Sequence, residues 1–93
     1  MTNFERFNTK IRTYYNDYLN RNCDTNRKKL YAIRQEIKDL QYAVDSNKDE
    51  LKNRLKEGFG WCWYLGERYS QFDLQKDIRT IEILKELYTE LKK

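Results

Sequence analysis

Two rows of carboxylates stand in the C-terminal part of this 93-residue chain: Asp73 with Asp77, then Glu82, Glu86 and Glu90. A spacing of four sets each row along one side of a helix, where paired carboxylates could exchange protons or hold a metal. Lys76, Arg79 and Lys85 are interleaved with them at separations that allow ion pairs along a helix. The rows therefore read as solvated, charge-paired faces. Other reactive types are scarce. The chain has no histidine, which removes His-based acid–base catalysis, Ser-His-Asp and Cys-His arrangements and His metal sites. Cys23 and Cys62 are too far apart in sequence to form a zinc-binding pair. Gly58-Phe59-Gly60 lacks the third glycine of a dinucleotide fingerprint, and no phosphate-binding GxxxxGK[ST] motif is present. The expectation is a protein with no catalytic residues, no metal and no cofactor.

Binding chemistry is better represented. Arg27, Tyr31, Arg34, Lys38 and Tyr42 recur at spacings 4-3-4-4, which makes one stripe along a helix. Lys and Arg neutralise phosphates, and tyrosine stacks on bases, so the stripe is a candidate nucleic-acid surface. Its bland alternative is a solvated helix face bordering the core. A second set, Trp63, Tyr64, Ile83 and Leu87, holds the large apolar and aromatic groups that fall off the main apolar seams. Tryptophan and tyrosine are enriched among the residues that carry protein–protein affinity, so this set is the candidate partner-binding site.

Three segments with helical period must position these residues. The first carries Phe4, Phe7, Ile11, Tyr14 and Tyr18, with Thr2 or Asn3 as its cap. The second carries Leu30, Ile33, Ile37, Leu40 and Val44, and its phase continues through Asn47 to Leu51 and Leu55. Ser46 and Asp49 have the form of a capping box that would start a new helix there. Residues 26–57 are thus one long helix with a polar seam residue, open to a kink at Asn47, or two helices with a tight break; the phase favours one. The third carries Leu74, Ile78, Ile81, Leu84, Tyr88 and Leu91. Ile83 lies about 200° from Ile81 on such a helix. The helix is therefore either buried on two sides or has a partner-facing strip.

All three glycines and both tryptophans fall within EGFGWCWYLGERY, residues 57–69. Gly58 follows the end of the second helical pattern, where a left-handed glycine commonly closes a helix. Trp61, Leu65, Tyr69 and Phe72 then recur at spacings 4-4-3, which predicts a helical face plugging one end of the bundle. That reading makes Gly66 an interior helical glycine, sends Trp61 to the core and leaves Trp63 outside. The run from Phe59 to Leu65 has strand-like composition, but no second strand is evident to pair with it. The predicted fold class is therefore all-α. It is a single domain over 1–93, a small bundle of three or four helices with a Gly/Trp-rich turn before the last.

Composition sets the remaining expectations. Residues 1–34 hold eight Lys/Arg against three Asp/Glu, whereas the rest hold eleven against twelve, so the net charge of +4 is concentrated in the basic N-terminal third. That third suits an acidic partner, whether nucleic acid or protein. No run of membrane-spanning length and no signal-peptide-like stretch is evident, which predicts a cytoplasmic protein with reduced cysteines and no membrane partner. Asn, Lys and Tyr are frequent, Ala is rare and Pro is absent, a bias typical of AT-rich coding. The expectation is a helical binding protein that docks on a protein or a protein–nucleic acid complex, or on a second copy as a homodimer. Its specific form is a phage or mobile-element inhibitor of a host defence machine, and the alternative is direct nucleic-acid binding through the Arg27–Tyr42 stripe.

Overall fold

A computed structural model describes residues 2–93, with every side chain among them except that of Phe4. The chain forms a helix α1 (Asn3–Asn22), a long helix α2 (Asn26–Lys56), a hairpin of strands β1 (Trp61–Tyr64) and β2 (Glu67–Ser70), and a helix α3 (Gln71–Lys92). The fold is thus mostly helical with three helices, but it is not strictly all-α. Residues 61–70, read above as the start of the last helix, are a two-stranded antiparallel sheet.

Local chemistry sets each boundary. Thr2 caps α1 in a reciprocal box with Glu5, and Thr25 accepts from the Lys28 N–H at the start of α2. Helix α2 ends at Glu57. The Gly58 N–H donates to the Leu55 carbonyl at 3.1 Å, and the Phe59 N–H to the Arg54 carbonyl at 2.8 Å. This double closure requires the left-handed glycine found there, with φ +91°. Ser70 and Asp73 form a second capping box, so α3 starts immediately after β2.

Helix α2 runs unbroken through Asn47. That side chain is buried, yet its amide donates to the Ala43 carbonyl at 2.6 Å, and its oxygen accepts from the Cys62 thiol at 3.5 Å. A satisfied polar side chain leaves the helix no reason to break. Around α2 sit two clusters. Leu19 of α1, Ile33 of α2 and Ile83, Leu84 and Leu87 of α3 fill one end. Val44 and Leu51 of α2, Cys62 and Tyr69 of the hairpin, and Leu74 and Ile81 of α3 fill the other. Asn8 meets Arg79, and further along Arg12 meets Glu86 and Glu90, so α1 and α3 run parallel.

Two expectations about seams change. In α1 the groups turned inward are Ile11, Tyr15 and Leu19, whereas Tyr14 and Tyr18 are 62% and 47% exposed. Phe4, the first residue of the predicted seam, lies outside the described side chains. The inward row repeats every four residues and so winds about 40° around the helix per step. It carries α1 from α3 toward α2, which a straight 3-4 seam does not. In α3, Ile83 and Leu87 are buried together with Ile81 and Leu84. The wide stripe is explained by burial on two sides, against α1 and α2.

Candidate functional site

The hairpin turns on Leu65 and Gly66, with φ of +52° and +82°. A two-residue loop with both φ values positive matches the right-handed twist of the strands it joins, which makes it the favoured hairpin connection. Gly66 is therefore a turn residue and not an interior helical one. The register pairs Trp61 with Ser70, Cys62 with Tyr69, Trp63 with Arg68 and Tyr64 with Glu67.

Side chains alternate across a strand, and that alternation divides the hairpin into two faces. Inward, Cys62 and Tyr69 oppose each other and are 1% and 8% exposed. Tyr64 joins them, with its ring 5.7 Å from that of Tyr69. The Tyr69 hydroxyl donates to Asp77 at 2.6 Å. Burial and this carboxylate both push the Tyr69 hydroxyl well above its ordinary range, and burial likewise raises the Cys62 thiol. Neither group is poised to ionise near neutrality. Cys62 is a packing thiol, not a nucleophile.

Outward stand both tryptophans. Their rings meet edge to face at 5.2 Å, and the Arg68 guanidinium lies 4.6 Å from the centre of the Trp61 ring. Trp63 is 61% exposed. Leu65 at the tip and Phe59 just before β1 are also exposed. Trp61 belongs to neither buried cluster. The prediction that it fills the core fails because a strand places residues 61 and 63 on the same side, where a helix would separate them by about 200°.

The four predicted partner-binding residues thus divide. Trp63 is on the surface. Tyr64 turns inward against Tyr69, and Ile83 and Leu87 are core residues with no surface to offer. The nucleic-acid candidates stay together: Arg27, Tyr31, Arg34, Lys38 and Tyr42 are all exposed along α2. Arg68 escaped the sequence reading, because Glu67–Ser70 does not look like a strand. The signal was a glycine-ended two-residue loop followed by a Ser-x-x-Asp box that begins the next helix.

The carboxylate rows are structural. Asp73 caps α3 and Asp77 receives Tyr69. Glu82 pairs with Arg79, and Glu86 and Glu90 share Arg12 at 2.8 and 3.2 Å. These carboxylates hold the guanidinium of Arg12 above its ordinary pKa, with Glu90 contributing most. Among the described residues no cluster of three metal-ligating side chains occurs, and no helix is long and apolar enough to cross a membrane. A groove of about 620 Å³ between the starts of α1 and α3 is lined by Phe7, Phe72, Lys76, Ile78, Arg79 and Glu82. Comparison with family models, with curated proteins and with solved structures gave no match.

Proposed function

We propose that this chain is a non-catalytic binding protein that docks on a protein partner through the outer face of its hairpin. The observation that carries this reading is the cluster of Trp61, Trp63 and Arg68. The cluster is carried on the hairpin ladder, with Trp63 and Arg68 exposed and Trp61 half-buried, and it lies outside both core clusters. Trp and Arg are the residue types most enriched where protein interfaces concentrate their energy. Holding the rings against each other lowers the entropy lost on docking. A polyanion fits this face poorly, because its one arginine is stacked on Trp61 and no second cation stands on the strands beside it.

A module of this kind acts by occupancy, covering a surface that its target needs. The AT-rich residue usage agrees with a phage or mobile-element origin. An inhibitor of a host machine, such as a defence complex, is the form of occupancy we propose. A photo-crosslinking residue at position 59, exposed beside the cluster, tests the docking face in extract of the native host. We expect one protein adduct, competed away by excess unlabelled wild-type chain and not by Trp63→Ala. Adducts that both chains compete equally, or none that either competes, would remove the hairpin face from consideration.

A further inference from the structure

The N-terminal half of α2 holds a second surface that folding does not use. Arg27, Tyr31, Arg34, Lys38 and Tyr42 lie on its solvent side, beside the inward row of Ile33, Ile37 and Leu40, with Tyr31 and Tyr42 58% and 67% exposed. Some cations elsewhere are committed: Arg12 to Glu86 and Glu90, Lys28 to Asp24, Lys48 to Asp45, Arg54 to Glu50 and Arg79 to Glu82; others, such as Lys10, Arg21, Lys52 and Lys56, form no ion pair among the described residues. Arg27, Arg34 and Lys38 have no carboxylate partner among the described residues. The acids around them are mostly engaged. Asp24 holds Lys28, Glu36 accepts from Tyr15 at 2.9 Å, and Asp45 meets Gln41 and Lys48. Asp39 remains exposed at the border of the stripe.

We propose that this stripe binds single-stranded nucleic acid, with the three cations on phosphates and the two tyrosine rings on bases. Three free cations in a row complement a regularly charged polyanion. The rings decide the form of that polyanion. Tyr31 and Tyr42 are separated by about 16 Å along the helix. Flat exposed rings gain from stacking only where base faces are open, which a duplex denies and a single strand offers. An acidic protein surface would use the cations without needing the rings. The site is separate from the hairpin face and does not rest on it. A chain with both sites suits a target that is itself a protein–nucleic acid complex.

The test is a salt titration of fluorescence anisotropy with a short labelled oligothymidylate, alongside a duplex of equal length and polyglutamate. Oligothymidylate should bind best, and the slope of log K against log salt should be about −2 for three phosphates. Arg27→Ser, Arg34→Ser and Lys38→Ser together should flatten that slope to near zero while leaving the melting temperature unchanged. Lys52→Ser with Lys56→Ser, beyond Asp45 on the same helix, should leave most of it. Tyr31→Ala and Tyr42→Ala should each weaken binding about tenfold without changing the slope. A preference for duplex, or equal binding of polyglutamate with no effect of the tyrosine changes, would overturn the proposal. So would no measurable binding of oligothymidylate at low salt.

Discussion

Cys62 and Tyr69 face each other across the hairpin ladder and are almost sealed from water, whereas Trp61, Trp63 and Arg68 occupy the opposite face and meet mainly one another. Both faces come from the same eight strand residues. A cysteine and two tyrosines went inside, and the two tryptophans, the largest apolar side chains, stayed out. Burying a tryptophan would stabilise this small domain more than burying a cysteine. Its absence from the core agrees with the docking role proposed for the outer face.

The strongest way to break this comparison is to exchange the expected costs. Tyr69→Ala removes a buried ring and the hydrogen bond to Asp77. It should cost about 3–5 kcal/mol, read as a large fall in the urea midpoint or a failure to fold. Trp63→Ala should change stability by no more than about 0.5 kcal/mol and cost about 2 kcal/mol or more of partner affinity. Trp61→Ala lies between, losing roughly 1 kcal/mol of edge-to-face and cation–π contact. Severe unfolding by Trp63→Ala would mean that the outer face is structural after all.

The helices were legible because apolar residues recur at helical spacing, with the inward row of α1 offset from the predicted one, and because the buried polar residues Asn47 and Thr80 can each bond a carbonyl of their own helix. The closure at Gly58 was legible for a similar reason: a left-handed glycine after a helix has one common use. The hairpin was hidden by a coincidence of period. Trp61, Leu65, Tyr69 and Phe72 fit a helical face, yet Leu65 and Phe72 are 85% and 72% exposed and only Tyr69 is core. Residues 67–70 have the composition of a surface loop, and their strand state comes from pairing with β1, which no local pattern reports. With strand and helix confused, the phase of every aromatic in the segment was wrong. Trp63 was placed outside for a reason that does not hold. Ile83 and Leu87 were offered to a partner because two-sided packing of α3 depends on where α1 lies, and that is a tertiary fact.

The inner face also predicts a pH response. Tyr69 and Tyr15 are both partly or fully buried and hydrogen-bonded to carboxylates, Asp77 and Glu36, so both hydroxyls are pushed above their ordinary value of 10.0. A group with a raised folded pKa contributes its full stability below the unfolded pKa and loses it as pH climbs toward the folded one. Stability should therefore hold up to about pH 10 and then decline by up to about 1.4 kcal/mol per pH unit for each ring. Tyr15→Phe with Tyr69→Phe should abolish most of that alkaline slope in urea titrations. An unchanged slope would show that the two rings are wetter than their packing implies.

The smallest expected effect sharpens the comparison at the tip of the hairpin. Leu65 holds a left-handed φ of +52° with its side chain 85% exposed, a conformation that costs a non-glycine residue about 1–2 kcal/mol. Asparagine tolerates that conformation far better, and Asn-Gly is a preferred pair for such a turn. Leu65→Asn should therefore stabilise the fold by about 1 kcal/mol, read as a higher urea midpoint. Gly66→Ala should lose a similar amount through φ alone, since an added Cβ meets nothing within 4 Å. A leucine that is strained and exposed contributes to neither packing nor turn. If it is kept for the outer face, Leu65→Asn should raise stability and lower partner affinity at once, while Gly66→Ala should lower stability with little effect on the affinity of the folded fraction. Should Leu65→Asn stabilise the protein and bind as tightly as before, the docking face would stop at Trp63.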